Sequence, residues 1–437
     1  DPMGQPLSRT FPEVNGARPQ ATYNFWESYG GLSTVGYSNN SAPSPTTHMT
    51  FSNYNARGQA RSVSYASGAT ENWSYFGNGL LESHEVIEAS TAKLINERVG
   101  WNPSNQLSTV LDCNHSSQAP CPTGSGGFDK DNGANYTYEA LRLHTVQDAD
   151  GKHTFCYDNA GNLTQSDGVV FTYEGNQVTS GNNATTPDQC KSDKQGSVFS
   201  AQYDINGHLN NRTVKGSNLK ATSGVEGWLL QTELADKTFQ QFAYDYTGQR
   251  IAKTVYESDG STIGQVVIYP APDFEVTLTN GGAAQYTLYL MGPGGKQVAF
   301  TEPLAGPEID QLAKELGVTL DPAAQPVASN TRVFHLDQVG STQAVTDANG
   351  NKYATVSYDA WGQPTVSPPD NATFRPLYGG HEFSEETGLY YANARYLDAF
   401  SGRFVSADTE VAAGPLVPDA FNDYAYALNN PVLYADP

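Results

Sequence analysis

The sequence predicts an all-β protein made of repeated β-hairpins. Composition is the first observation: 26 Tyr and 18 Phe accompany only 3 Met, while 42 Gly and 25 Pro favour strands and turns over helices. The second is a low charged fraction of 16%. The third is a short aromatic motif that recurs along the 437 residues, so a repeat architecture is expected instead of two or three compact domains.

The recurring motif is aromatic-x-x-x-Gly/Asn, and each copy predicts a strand, a turn and a new strand. The aromatic residue closes a strand whose alternate residues face inward. The Asp that follows in four copies bonds its own backbone two residues on, and the Gly supplies the positive φ of a tight turn. The copies are YNARG from Tyr54, YFGNG from Tyr75, WNPSN from Trp101, YDNAG from Tyr157, YDING from Tyr203, YDYTG from Tyr244 and YDAWG from Tyr358.

One such hairpin cannot bury its own apolar face, so successive hairpins must stack or curl into a continuous sheet. Two polar stretches, 112–135 and 179–198, are predicted to be loops. A single short helix is predicted near 307–317, because apolar residues recur there at helical spacing, acidic residues fill its first turn and Gly317 follows as a stop.

Charge and motifs exclude several classes of function. The net charge of −22 makes nucleic acid an improbable partner, and no apolar run reaches the roughly 18 residues of a membrane helix. The opening DPMGQPLSRT has no basic-then-apolar leader and no initiating Met, so we expect a fragment or a processed chain. No HExxH, GxSxG or phosphate-loop pattern is present, so no cofactor or metal is predicted.

The four cysteines are too few for a disulfide scaffold and show no zinc spacing. Cys113 and Cys121 flank a polar loop, where a local disulfide and free thiols are both compatible with the sequence. A structural role is the default for Cys156 and Cys190.

Several segments resemble a known family. YDNAGNLT, YDINGHLN and YDYTGQRI resemble the YD repeats of RHS repeat proteins. From about Val333, HLDQVGSTQAVTDANGN, YDAWGQ and YGGHEFSEETGLYYANARYLDAFSGRFVSAD resemble the RHS repeat-associated core. The resemblance implies YD-repeat hairpins wound as a spiral sheet that forms part or all of a hollow shell. In bacterial members, which occur in insecticidal toxin complexes and among secreted effectors, this shell encloses a C-terminal toxic passenger. We therefore predict a YD-repeat shell at 1–300, a connector at 301–330 and the core at 331–437.

The resemblance also implies an aspartic autoprotease at the end of the core. The family's two aspartates match Asp408 in RFVSAD and Asp436 in NNPVLYADP, and its assisting arginine matches Arg395 in ARYLD. Thr409 stands where the family usually has Pro, and the linker between the two aspartates is longer. Asp398, Asp419 and Asp423 are therefore alternative carboxylates, and the plain structural alternative is that these residues cap turns or form ordinary ion pairs.

Two carboxylates suit self-cleavage because like charges held close together cannot both ionise. The ionised Asp takes a proton from water while the protonated one polarises the scissile carbonyl. Arg395 orients a carboxylate or stabilises developing negative charge. We expect aromatic side chains to form dry walls around the pair: Tyr390, Tyr391, Tyr396 and Phe404.

The first hypothesis is therefore a shell that sequesters a C-terminal passenger, cuts once in cis just beyond Asp436, and is secreted or delivered by a bacterial toxin system. A second shell chain or secretion machinery is the expected further partner. A lumen lined with Asp and Glu would support this hypothesis. The alternatives are a cell-surface adhesion or carbohydrate-binding module, in which exposed aromatics stack on sugar rings, and a delivery scaffold that never cleaves.

Overall fold

Consecutive hairpins form one long antiparallel sheet. The structure, a computed structural model, describes residues 7–14, 16, 18–26, 31–39, 44–114, 133–187, 189–191, 194–321, 323–324, 330–368, 374–408 and 421–435. Within these residues 29 strands pair in chain order, each antiparallel to the next, and four more form a second small sheet. The predicted all-β hairpin architecture is confirmed.

The first third of the sheet runs through nine strands. Their inward residues alternate with outward ones, as in β5, where Val63 and Tyr65 are buried between exposed neighbours. The strands are β1 (Ser8–Thr10), β2 (Gln20–Phe25), β3 (Leu32–Ser38), β4 (Thr46–Ser52), β5 (Ser62–Tyr65), β6 (Thr70–Tyr75), β7 (Leu81–Ile87), β8 (Lys93–Trp101) and β9 (Leu107–Asp112).

The middle of the sheet contains the YD hairpins at their most regular. The strands are β10 (Gly133–Glu139), β11 (Arg142–Gln147), β12 (Lys152–Tyr157), β13 (Leu163–Ser166), β14 (Val169–Glu174), β15 (Gln177–Ala184), β16 (Lys194–Tyr203), β17 (Leu209–Val214), β18 (Ser217–Ser223), β19 (Leu229–Leu234), β20 (Phe239–Tyr244) and β21 (Arg250–Tyr256). The predicted loop at 179–198 is wrong in part, because β15 runs to Ala184 and β16 starts at Lys194. Alternation with polar residues hid these strands.

The last part of the sheet carries the predicted helix between two of its strands. Helix α1 (Pro307–Glu315) begins with Pro at its first turn, and Gly317 at φ +74° follows its end. The strands are β22 (Ile263–Ala271), β23 (Phe274–Thr279), β24 (Ala284–Gly292), β25 (Gly295–Leu304), β26 (Asn330–Leu336), β27 (Thr342–Thr346), β28 (Lys352–Tyr358) and β29 (Pro364–Ser367). No helix in the described part of the chain is long and apolar enough to cross a membrane.

The second sheet is short and lies near the C-terminus. It contains β30 (Glu382–Ser384), β31 (Leu389–Ala392), β32 (Arg395–Asp398) and β33 (Arg403–Phe404). Two single-turn 3-10 helices, Tyr378–Gly380 and Ala427–Asn429, flank it in sequence. We call β30–β33 the small sheet.

Apolar clusters hold strands that are distant in sequence against each other. In the largest cluster β2–β5 and the apolar face of α1 pack with β22–β26, with Val35, Phe51, Leu278 and Leu288 nearly inaccessible to solvent. A second cluster packs the hairpins β14–β20 against the small sheet through residues such as Phe199. The sheet therefore curves so that its early, middle and late strands share cores.

The turns follow the predicted chemistry. In YDING, Asp204 Oδ1 accepts hydrogen bonds from the backbone N–H groups of Asn206 and His208, and Gly207 has φ +83°. A Cβ at Gly207 would also lie 2.5 Å from Tyr424 Oη. This glycine is thus required both by the turn and by the close approach of the C-terminal segment.

The middle of the sheet is also cross-linked. Cys156 in β12 and Cys190 form a disulfide that the sequence left undetermined. Cys113 is disulfide-bonded as well, while Cys121 lies outside the described residues.

Candidate active site

The small sheet brings Arg395 and Asp408 together. Arg395 begins β32, and its guanidinium lies 3.7 Å from the ring centre of Phe404 in the neighbouring strand. Its Nη2 is 2.9 Å from Asp408 Oδ2, and the two side chains are 15% and 28% exposed. Two of the three predicted site residues therefore form one partly buried ion pair.

The C-terminal segment, residues 421–435, returns to the Arg395–Asp408 ion pair and packs against it. The Asp423 carbonyl accepts hydrogen bonds from Arg395 Nη1 at 3.1 Å and from the Asp408 N–H at 2.9 Å. The Phe404 N–H donates to the Tyr424 carbonyl at 3.0 Å. Asp436 lies outside the described residues, as do Thr409 and Asp419, so the predicted Asp408–Asp436 pair stays a prediction.

The C-terminal segment is hydrogen-bonded to turns of the β-hairpins. Asn422 Nδ2 donates to Asn162 Oδ1 at 2.9 Å, and Tyr424 Oη donates to the Gly207 carbonyl at 2.7 Å. Asn429 and Asn430 donate in the same way to the carbonyls of Gly161 and Leu141. In the sequence these residues belong to the stretch NDYAYALNNP, and its regularly placed amides and phenols were the one available signal for this anchoring role.

Two alternative carboxylates can be placed. Asp398 is buried and accepts hydrogen bonds from Arg212 Nη1 at 2.8 Å and from Ser401 Oγ at 3.0 Å. It links the small sheet to strand β17 and has a structural role. Asp423 has an exposed side chain and faces the pair with its backbone carbonyl.

The aromatic residues predicted as dry walls divide between two sides. Phe404 packs on Arg395, as expected. Tyr396 is adjacent to Arg395 in β32, so its side chain points to the other face, where its hydroxyl accepts a hydrogen bond from Arg250 Nη1 at 3.3 Å. The Tyr391 hydroxyl accepts one from the Arg250 N–H, and the Tyr390 hydroxyl donates to the Gly362 carbonyl. Strand alternation, which cannot be seen without the register, explains the division.

A cationic cluster holds Glu382 at the other edge of the small sheet. Arg250 Nη2 contacts one carboxylate oxygen, while Lys253 Nζ and Arg375 Nη1 each lie 3.1 Å from the other. Tyr269 Oη also donates to the carboxylate. Burial alone would raise the pKa of Glu382, but the three cations hold it well below its usual value.

A histidine cluster holds a second buried carboxylate, Glu71 in β6. His84 Nε2 is 2.7 Å from Oε1 and His335 Nδ1 is 3.0 Å from Oε2, although His335 is 264 residues away in sequence. Tyr65 Oη donates to Oε2 at 2.8 Å. Burial would raise the pKa of Glu71, but hydrogen bonds from the two histidines lower it to about 2. Burial would lower the pKa of His84, but the hydrogen bond to Glu71 and the negative charge of Glu71 raise it above its usual value.

An acidic cavity of about 1030 Å³ lies beside the C-terminal segment, whose Pro431 and Val432 line it. Burial raises the pKa of both Asp337 and Asp359 to about 6, partly opposed by backbone hydrogen bonds. The cavity wall contains two lysines and one histidine. It contains eight carboxylates: Glu88, Glu97, Asp112, Asp148, Asp150, Asp167, Asp337 and Asp359.

Comparison with known proteins finds relatives in sequence and a matching fold. No family model matches the chain. The tRNA3(Ser)-specific nuclease WapA of Bacillus spizizenii is 30% identical over 247 residues, which cover 54% of this chain and 9% of WapA. Toxin subunit YenC1 of Yersinia entomophaga is 25% identical over 330 residues, which cover 70% of this chain and 31% of YenC1.

The solved structures agree with the sheet described above. The crystal structure of TcdB2-TccC3 superposes with a TM-score of 0.69 at 17% identity, covering 98% of this chain and 22% of that chain. These similarities are consistent with an RHS/YD-repeat toxin family. The hairpin sheet is the RHS shell fold, and the chain spans 9% and 31% of the two curated relatives. The similarity to these proteins supports an RHS scaffold associated with toxins.

Proposed function

We propose that this RHS chain is an encapsulating shell that sequesters a C-terminal toxic passenger and releases it by cutting itself just beyond Asp436. In this proposal Asp408 and Asp436 are the catalytic pair and Arg395 is the assisting cation. The protein acts once in cis and has no turnover substrate. It is secreted or delivered by a bacterial toxin system, with a second shell chain or secretion machinery as a further partner.

One observation carries the autoprotease part of the proposal. The Arg395–Asp408 ion pair lies against the backbone of the returning C-terminal segment, which both residues contact at Asp423. Hydrogen bonds to YD turns fix that segment on the shell. A carboxylate presented at the point where the chain returns is suited to act on a peptide bond of its own chain.

The chemistry requires a water molecule and no cofactor. The ionised aspartate takes a proton from water as the water oxygen attacks the scissile carbonyl carbon, and the protonated aspartate gives its proton to the carbonyl oxygen. Collapse of the tetrahedral intermediate breaks the C–N bond and returns a proton to the leaving amine. Arg395 orients the Asp408 carboxylate through its ion pair.

The acidic cavity supports the sequestration part. Its carboxylates outnumber its lysines eight to two, and it borders the C-terminal segment that leads to the proposed cleavage site. A cavity lined mostly with carboxylates favours a basic polypeptide, folded or unfolded. The similarity to WapA and YenC1, a nuclease and a toxin subunit, supports a toxic passenger.

The test is a chain extended past Pro437 by its natural sequence and a small folded reporter, followed by intact mass. We expect the parent to cleave a few residues beyond Asp436, and Asp408→Asn and Asp436→Asn each to abolish cleavage. Asp423→Asn is the matched control, because this neighbouring aspartate offers only its backbone to the site. Loss of cleavage in Asp423→Asn alone would transfer the catalytic role to that residue.

An uncut, folded parent chain would contradict the autoprotease proposal and favour the non-cleaving scaffold. A second experiment separates the two parts of the function. In it, a basic, unfolded polypeptide takes the place of the reporter, and its sensitivity to an added protease is measured. Protection of that polypeptide in an uncut chain would support sequestration alone.

A further inference from the structure

A second cavity, of about 380 Å³, lies between the inner face of β22–β26 and the residues that lead into the small sheet. Its volume is within the range of small-molecule sites, roughly 300 to 1,000 Å³. The wall differs from that of the acidic cavity: it has two arginines, Arg332 and Arg375, and one carboxylate, Glu275. We call it the arginine cavity.

Positive charge is in excess around this cavity. Three arginines, Arg250, Arg332 and Arg375, stay charged at any physiological pH, whereas the described carboxylates among and beside them are Glu275 and Glu382. Both glutamates are already shared, since Glu382 binds three cations. Arg332, the half-buried arginine of the wall, takes no part in these pairs, so an anionic group is the favoured occupant, even though the protein has a net charge of −22.

Arg332 is the side chain that is positioned to bind this anion. Its guanidinium stacks 3.7 Å from the ring centre of Tyr353, and Nη1 donates to the Thr331 carbonyl at 3.2 Å. It has no carboxylate within ion-pair distance in the described ranges of the chain. Stacking on an aromatic ring holds the planar fork rigid, with an edge suited to a carboxylate or a phosphate.

The rest of the wall is suited to a ligand with hydroxyl groups. Thr287 and Thr301 lie side by side, their hydroxyl oxygens 3.1 Å apart, and amides of Gln265 and Gln285 line the same wall. Aromatic rings such as Phe374 add an apolar surface to the wall. Hydroxyl and amide groups beside an aromatic ring are the usual means of recognising a sugar ring.

We infer that the arginine cavity binds a small acidic carbohydrate, a sugar ring bearing a carboxylate or a phosphate, with Arg332 as the residue that binds the anion. This inference is independent of self-cleavage, since Arg395 and Asp408 are not part of the cavity wall. Arg375 and Phe374 line the cavity together with strands β22–β26, so a bound ligand also contacts both the long sheet and the segment that leads into the small sheet.

The test uses the full chain with glucuronate, glucose 6-phosphate, glucose and inorganic phosphate, measured by calorimetry and thermal unfolding. We expect one or both acidic sugars to bind at least about tenfold more tightly than glucose or phosphate and to raise Tm. The two acidic sugars distinguish a carboxylate from a phosphate ligand. Arg332→Gln should weaken that binding about tenfold or more, and Arg332→Lys should weaken it less.

Arg61→Gln is the control, because Arg61 is an exposed arginine directly before β5 and does not line the cavity. It should leave binding unchanged. Acidic sugars that bind no better than glucose or inorganic phosphate would overturn the inference. An Arg332→Gln variant that unfolds at the parent's Tm and binds with the parent's affinity would overturn it as well.

Discussion

Glu382 and Glu71 are carboxylates that each join strands distant in sequence, but their partners differ. Glu382 is held by Arg250, Lys253 and Arg375, while Glu71 is held by His84 and His335. Arginine remains charged at every physiological pH, whereas histidine loses its charge near neutrality. The two ion clusters therefore differ in their sensitivity to pH.

Their geometry teaches that a buried ion cluster stabilises only as a set. Glu382 neutralises several cations that burial would otherwise penalise, and removal of the carboxylate leaves all of them unpaired. Glu71 has fewer charges to balance, and Tyr65 supplies a neutral hydrogen bond that remains at any pH near neutrality. We expect the Glu382 cluster to be the more costly one to break.

The largest effect is expected for Glu382→Gln. The substitution should lower the free energy of unfolding by about 3 to 5 kcal/mol, because the cations around it lose their shared counter-charge. Urea unfolding followed by tryptophan fluorescence measures the change. Glu385→Gln, an exposed neighbour in the sequence, is the control and should stay within about 0.5 kcal/mol of the parent.

Glu71→Gln should lower the free energy of unfolding by about 1 to 3 kcal/mol. The loss is smaller because His84 can become neutral once the carboxylate is gone, whereas the arginines of the Glu382 cluster stay charged. The same unfolding measurement tests it. A loss equal to or larger than that of Glu382→Gln would contradict the proposed ranking of the two clusters.

The third prediction concerns pH. The pKa of Glu71 is lowered from 4.5 to about 2, so its contribution is present above pH 4.5 and is lost as the pH falls towards 2. The pKa of His84 is raised above 6.5, so its contribution is present below pH 6.5 and is lost as the pH rises through the raised value. The cluster therefore stabilises most between these limits.

His84→Gln should accordingly flatten the change in stability between about pH 6 and pH 9. Unfolding free energies of the parent and the variant across this range provide the measurement. Lys253→Gln, in the other cluster, is the comparison and should preserve the slope that His84 causes. An unchanged slope in His84→Gln would show that other groups carry the pH dependence.

The smallest effect on stability is expected for Arg395→Gln. Its ion pair with Asp408 is partly exposed, so the free energy of unfolding should fall by less than about 1 kcal/mol. Self-cleavage should nevertheless slow by about 100-fold, since a cation that orients the carboxylate is removed. A large loss of stability with normal cleavage would assign Arg395 a structural role, like that of Arg212.

Much of the fold could be predicted from local chemistry. The Tyr–Asp turn in YDING and the apolar spacing in α1 are short-range features, and the structure contains both the turn and the helix where they were expected. The strand between Gln177 and Ala184 was missed because its polar composition resembles a loop. Its pairing with β14 overrides that local preference.

The sequence by itself determined the hairpin turns and helix α1, because turn and capping signals lie within a few neighbouring residues. The candidate residues Arg395, Asp408 and Asp436 came only from the resemblance to the RHS core. Only the tertiary structure decided that Arg395 meets Asp408 while Asp398 pairs with Arg212, and that Glu71 meets His335. These contacts depend on strand register and on how the sheet curves. Both are set by packing between segments hundreds of residues apart, which no local pattern encodes.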